Sequence, residues 1–113
     1  MAKLERYRFG SLLVDGQEET GDLIILPHRI VRRWWRQEGH RLALSDLADV
    51  LDELPARLLI GTGAEGMMSV DRELLATLES RGVLTEVMPT AEAVRLYGEL
   101  DSSATAIALH LTC

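Results

Sequence analysis

From residue 58 onward, short apolar runs alternate with stretches of helical periodicity, and this alternation most constrains the fold. Leu58-Leu59-Ile60 is continuously apolar, as expected of a strand covered on both faces of a parallel sheet. A helix is predicted from Asp71 to just before Gly82, then a strand over 83–88 and a helix capped by Thr90. Strand, helix, strand, helix and strand in this order predict two crossover connections in an α/β domain.

The last predicted strand, residues 104–112, has two different faces. Larger side chains alternate with a row of small ones: Thr105, Ile107, Leu109 and Leu111 on one face, and Ala104, Ala106, Ala108 and His110 on the other. An alanine row lets another layer approach the backbone closely. We therefore expect this strand inside the sheet, not at its edge.

The first third of the chain is predicted to form β-ribbons. Residues 9–14 are of extended type, Asp15-Gly16 is a hairpin signal, and the apolar run over 23–26 stops at Pro27. Residues 29–36 could continue the ribbon.

After Leu44 the period of the apolar residues becomes helical, and Ser45 is predicted to cap a helix with the apolar stripe Leu47, Val50, Leu51 and Leu54.

Length and composition indicate one domain over residues 1–113 and an intracellular protein. The single cysteine, Cys113, allows no intramolecular disulfide, and the sequence has neither an apolar leader nor a membrane-spanning run, so we expect a cytoplasmic location without membrane insertion. The net charge is −6. This acidity disfavours a general polyanion binder.

The segment after the first buried strand, Gly61-Thr62-Gly63-Ala64-Glu65-Gly66, has the spacing of a dinucleotide-binding loop. Glu65 would repel a pyrophosphate, and the next helix starts too late for the motif. The glycines are more simply explained by tight turns. Because ligands bind beyond the carboxyl ends of parallel strands, Gly61, Thr62, Gly63 and Gly66 remain a candidate small-molecule loop.

One basic and aromatic cluster precedes the predicted helices: Arg29, Arg32, Arg33, Trp34, Trp35, Arg36 and Arg41. Three interpretations stay open. One tryptophan could fill the core while the arginines pair with acidic residues after Asp46; the cluster could bind a protein, since Trp and Arg dominate interface hot spots; or it could bind nucleic acid.

Templates for metal and catalytic sites are not met. His28, His40, His110 and Cys113 lack the spacing of zinc ligands, and no nucleophile elbow occurs. Cys113 has no evident activating base. Asp22, His40 and Thr62 could form an acid/base set only if the fold brought them together. We predict no cofactor, no metal and no assignable catalytic residue.

Several short motifs occur together in a specific order: Phe9-Gly10, Asp22, Trp35-Arg36 with Gly39-His40, Gly61-Thr62-Gly63, Thr90 with Tyr97, and the closing Leu109-His110-Leu111-Thr112-Cys113. Through these motifs and their order, the whole chain resembles the domain-of-unknown-function family 498. This family includes the mitochondrial complex I assembly factor 3 and the adipogenesis-associated domain-containing protein. The resemblance implies a three-layer β/β/α fold. It also implies an assembly or interaction role more than an enzymatic one.

These observations favour a non-enzymatic module that binds a protein partner of unknown identity through Trp35, Arg36, His40 and Arg33. A small-molecule or catalytic site at the Gly61 loop is the alternative, and nucleic-acid binding is a second. A homodimer through a free β-edge stays open.

Overall fold

A computed structural model describes residues 2–113 as a five-stranded sheet between two layers. The strands of this sheet are β4 (Leu23–Ile25), β5 (Ile30–Val31), β7 (Arg57–Gly61), β9 (Leu84–Met88) and β10 (Thr105–Leu109), in the order β5-β4-β10-β7-β9. The last three are parallel, and β4 and β5 are antiparallel to their neighbours. The mixed α/β fold predicted from the sequence is confirmed.

The central strands bury both faces, as their sequences predict. Leu58 and Ile60 pack in one core together with Ala106 and Ala108, whereas Leu59 and Ile107 pack in the other. The strand β10 lies between β4 and β7, so the alanine row does belong to an interior strand. Two cores, one on each face, hold the sheet in place.

The two α-helices cover opposite faces of this sheet. Helix α1 (Arg72–Ser80) contributes Leu74 and Leu78 to the first core, and α2 (Thr90–Tyr97) contributes Ala93 and Tyr97 to the second. The chain moves outward from β7 to β9 and then back across β7 to β10. Reversing direction while keeping one handedness of crossover requires the two helices to lie on opposite faces.

An N-terminal meander of β1 (Leu4–Arg8), β2 (Ser11–Val14) and β3 (Gln17–Glu19) lies over the second core together with α2. Asp15 and Gly16 both have positive φ, as a two-residue hairpin turn between β2 and β3 requires. A small parallel pair, β6 (Arg41–Leu42) and β8 (Ser69–Val70), completes the strands. None of the helices within residues 2–113 is long and apolar enough to cross a membrane.

The helix predicted after Ser45 is not an α-helix. The chain forms two 3-10 segments instead, Leu44–Leu47 and Leu51–Glu53. In an α-helix the carbonyl of Asp46 would accept from Val50 N. Here it accepts a hydrogen bond from Trp34 Nε1 at 3.0 Å, and Val50 N donates to Leu47 O instead. Ser45 is not the cap either; the Asp46 carboxylate accepts from Ala43 N at 2.9 Å.

Candidate functional site

The residues that make the sequence distinctive converge at the carboxyl ends of β7 and β10. Leu23 of β4 pairs with Leu109 of β10, so the residue before one, Asp22, meets the residue after the other, His110. In parallel α/β sheets this end of the strands is where binding sites form. The convergence joins residues that are 88 positions apart in the sequence.

Asp22 is the centre of a charged cluster. One carboxylate oxygen accepts from Arg36 Nη1 at 2.7 Å and from His110 Nδ1 at 2.9 Å, and the other accepts from Leu111 N at 2.8 Å. Burial acts to raise the pKa of Asp22, but the hydrogen bonds from Leu111, His110 and Arg36 outweigh it, so its pKa lies below its ordinary value. The carboxylate is therefore ionised at neutral pH.

Arg36 is buried and not an exposed contact residue, which corrects the predicted interaction surface. Its side chain is only 4% exposed, its Nη2 donates to Gly39 O at 2.8 Å, and its guanidinium carbon lies 5.2 Å from the centre of the Trp34 ring. The Asp22 carboxylate supplies the charge that makes this burial tolerable. Arg36 thus supports the Trp34-Trp35 segment from the buried side of the Trp34 ring.

The ring of His110 is fixed by the same cluster. Its Nδ1 lies 2.9 Å from the Asp22 carboxylate and 3.0 Å from Arg36 Nη2. Nδ1 can bond only one of these two groups, because the carboxylate needs a donor and arginine needs an acceptor. Arg36 Nη2 already donates to Gly39 O, so we assign a proton to Nδ1 that faces Asp22. His110 Nε2 is buried and has no hydrogen-bond partner within residues 2–113.

The segment 110–113 packs against the glycine-rich loop. Ala64 N donates to Thr112 O and Met67 N donates to Cys113 O. Gly63 has φ +110°, and a Cβ there would lie 2.5 Å from the carbonyl oxygen of Cys113, so only glycine fits. Thr90, predicted to cap α2, instead accepts from Gly63 N at 2.8 Å and donates to His110 O at 2.6 Å.

These contacts disfavour a phosphate-binding role for the Gly61 loop. Such loops bind phosphate through free backbone amides, but Thr62 N donates to Met88 O and the amides of Gly63, Ala64 and Gly66 are also bonded within the chain. The hydroxyl of Thr62 donates to Met88 O, so it does not join Asp22 and His40 in an acid/base set.

The two tryptophans separate into a buried and an exposed one. Trp34 is buried, whereas Trp35 is 75% exposed. Trp35 borders a groove of about 490 Å³ with an apolar floor and a polar rim, lined by Ile24, Val31, Trp34, Trp35, Gln37, Ser45, Asp46, Asp49 and Val50. We call it the Trp35 groove. No arginine or lysine lines it.

Most arginines of the basic cluster are paired with acidic side chains. Arg29 makes two bonds to Glu53, at 2.8 and 2.6 Å, Arg32 pairs with Glu19 at 2.8 Å, and Arg41 pairs with Asp71 at 2.7 Å. The pairing removes much of the positive charge that nucleic acid would need. Arg33 is exposed and has a positive φ of 51°.

His40 contacts the C-terminal segment and is not among the residues that line the Trp35 groove. Its Nε2 is 3.4 Å from Cys113 Sγ, and its ring centre is 6.2 Å from that of His110. This neighbour of Cys113 was missed because 73 residues separate the two in sequence. No set of three or more His, Cys, Asp or Glu side chains in the described part of the chain could hold a metal ion.

Comparisons with known proteins support one family. A model described as "Protein of unknown function (DUF498/DUF598)" matches residues 4–112. A conserved hypothetical protein from Pyrococcus horikoshii is 32% identical, with a TM-score of 0.83 over 98% of this chain and 99% of its own. A protein from Xanthomonas campestris is 27% identical, with a TM-score of 0.82 over 98% and 85%.

A Bordetella pertussis protein described as a Mth938-like domain shares the fold, with 21% identity and a TM-score of 0.75 over 97% and 85% of the two chains. No curated protein matches the chain.

Proposed function

The chain belongs to the DUF498/DUF598 family of proteins of unknown function, and from that premise we propose that it is a non-enzymatic module that docks a protein partner at the Trp35 groove. The exposure of Trp35 carries the proposal. A large apolar ring that is three-quarters exposed loses most of its hydration when a partner covers it, and tryptophan is among the most frequent hot-spot residues.

The surface around Trp35 is held in shape before any partner arrives. Trp34 donates from Nε1 to Asp46 O, and the buried guanidinium of Arg36 stacks on its ring. Trp35 lies between these two fixed residues in the sequence, so its backbone is anchored on both sides. A pre-organised surface loses little conformational entropy on binding, so more of the contact energy appears as affinity.

The groove favours a partner segment that combines an apolar side chain with lysine or arginine. Ile24, Val31 and Val50 offer an apolar floor, while Asp46 and Asp49 line it without a neighbouring cation in the lining. Electrostatic complementarity would orient a basic segment and speed its association. An assembly role of the kind implied by the family resemblance would use such a surface.

A peptide selection tests the proposal without knowledge of the partner. A random 12-residue library displayed on phage is panned on the native protein in the presence of excess soluble Trp35→Ala variant. We expect enrichment of sequences with an aromatic or aliphatic anchor flanked by lysine or arginine. Leu84→Ala, which removes another exposed apolar side chain on the edge strand β9, is the matched competitor.

The two competitors give opposite results if the proposal is right. Soluble Leu84→Ala should abolish enrichment because it still presents the groove, whereas Trp35→Ala should leave it intact. No enrichment, or enriched peptides that both variants compete away equally, would overturn the proposal. Folding of each variant is checked by urea unfolding before the selection.

A further inference from the structure

Two adjoining cavities lie on the face of the sheet opposite the Trp35 groove. One has a volume of about 300 Å³ and the other about 420 Å³, and both are lined by Ala2, Tyr97 and Ser102. Ile25 lines the first cavity, whereas its neighbour Ile24 lines the Trp35 groove. Because successive side chains of a strand point to opposite faces, the cavities and the groove are separate sites.

Two largely buried hydroxyl groups lie in the wall that these cavities share. Tyr97 is 4% exposed and Ser102 is 8% exposed, yet neither hydroxyl has a hydrogen-bond partner within residues 2–113. Burial and the nearby Asp15 carboxylate raise the pKa of Tyr97, so its hydroxyl keeps its proton at neutral pH. Neither oxygen is sealed, in contrast to His110 Nε2, so a molecule in the cavities can reach both. Since buried hydroxyls normally have a partner, the two oxygens point to a ligand.

Two charged side chains at the first cavity have free hydrogen-bonding groups as well. Arg32 donates to Glu19 through Nε at 2.8 Å, which leaves the two terminal nitrogens of its guanidinium without partners in the described part of the chain. Asp15 accepts from Lys3 N through Oδ1 at 2.7 Å, and its Oδ2 has no bond to any of residues 2–113. The planar guanidinium of an arginine fits a carboxylate, and a free carboxylate oxygen accepts from an ammonium group.

The other groups at these cavities narrow the class of ligand. His28 and Arg29 also line the first cavity, but both are already bonded to Glu53. Leu4 and Leu100 give the second cavity an apolar wall. A matching occupant therefore carries a carboxylate, an ammonium group and an apolar body in one small molecule, and these are the features of an aliphatic α-amino acid.

We propose that the two cavities together bind a free α-amino acid with an aliphatic side chain, such as leucine. Its carboxylate accepts from Arg32 and from the hydroxyls of Tyr97 and Ser102. Its ammonium group donates to Asp15, and its side chain packs against Leu100. None of these residues lines the Trp35 groove, so this proposal and the docking proposal stand or fall separately.

The experiment uses L-leucine as the probe, with N-acetyl-leucine and leucinamide as analogues that each lack one of its two charges. Binding is followed by NMR chemical shifts of the isotope-labelled protein up to about 10 mM ligand, above the roughly millimolar dissociation constant expected of so small a molecule. Tyr97→Phe and Ser102→Ala each remove one unpartnered hydroxyl. Tyr7→Phe is the matched control, because the Tyr7 hydroxyl donates to Leu111 O at 2.9 Å within the fold.

We expect saturable shifts around Tyr97 with leucine, and binding of either analogue that is weaker by about tenfold or more. Tyr97→Phe and Ser102→Ala should each weaken leucine binding by about tenfold, the value of a hydrogen bond to a charged group, with the urea midpoint unchanged. Tyr7→Phe should show the reverse, a lower urea midpoint with leucine binding retained. No saturable binding to the native protein, equal binding of leucine and both analogues, or native affinity in either hydroxyl variant would overturn the proposal.

Discussion

Replacing Asp22 by asparagine tests whether the charged cluster holds this end of the sheet. The change keeps the shape of the side chain but removes the charge that accepts from Arg36 and His110. An asparagine can still accept from Leu111 N with its oxygen, and its amide nitrogen then faces the two donors. Asp22→Asn therefore loses two charge-assisted hydrogen bonds and leaves the Arg36 cation buried.

The size of the effect follows from burial. Removing one partner of a buried ion pair costs about 3–5 kcal/mol. The Asp22 side chain is 16% exposed, so we place the loss of unfolding free energy at the lower end, about 3 kcal/mol. With a urea dependence of about 1–3 kcal/mol per molar, the unfolding midpoint should fall by roughly 1–3 M.

Tryptophan fluorescence in urea measures this directly, because Trp34 is buried against Arg36 in the folded state. Asp52→Asn is the control: Asp52 also bonds an arginine, Arg81, but is 94% exposed and should leave the midpoint nearly unchanged. Equal midpoints for Asp22→Asn and Asp52→Asn would refute the reasoning.

The dependence of stability on pH tests the role of the Asp22 carboxylate independently. The pKa of Asp22 is lower in the folded than in the unfolded chain, so its contribution is complete above the ordinary value of 3.8 and is lost as pH falls through the folded pKa. The stability difference between the native protein and Asp22→Asn should be constant from about pH 5 upward and shrink below about pH 4.

Three further predictions concern packing, backbone and charge. Gly82→Ala should lower the free energy of unfolding by roughly 1–2 kcal/mol, because Gly82 has a positive φ. Gly63→Ala should lower it further, because Gly63 has a positive φ and also faces a backbone carbonyl; urea unfolding compares the two. Ile107→Ala should cost about 2–5 kcal/mol in the same assay, since Ile107 is fully buried in the central strand β10. The hydrogen bonds from Arg29 lower the pKa of Glu53 to about 2, and NMR titration of Arg29→Ala should show it returning toward 4.5.

The sheet and its helices could be predicted because their signals are local. Leu58-Leu59-Ile60, the alanine row of β10 and the glycine after α1 each carry a pattern set by neighbouring residues. The segment after Ser45 has the same helical pattern but forms 3-10 turns, because Trp34, a distant residue, takes the Asp46 carbonyl. Tertiary contacts overrode the local preference there.

The candidate sites depend on contacts that no local pattern contains. The pairing of β4 with β10 brings Asp22 to His110, and the packing of the C-terminal segment brings Cys113 to His40. The sequence indicates Trp35 and Arg36 as candidate binding residues, but no local pattern shows that Trp35 is exposed and Arg36 buried. Thr90 shows the same limit, because its hydroxyl bonds His110 O and Gly63 N instead of capping its helix.

On the proposed function, the binding energy for a partner is concentrated at Trp35. Its most direct measurement is the affinity of one selected basic, apolar peptide for the native protein, Trp35→Ala and Leu84→Ala by isothermal titration calorimetry. We predict that Trp35→Ala weakens binding by about thirtyfold or more, as expected for a hot spot of at least about 2 kcal/mol, while Leu84→Ala leaves it unchanged. Unchanged affinity for Trp35→Ala, or an equal loss for both variants, would contradict the claim.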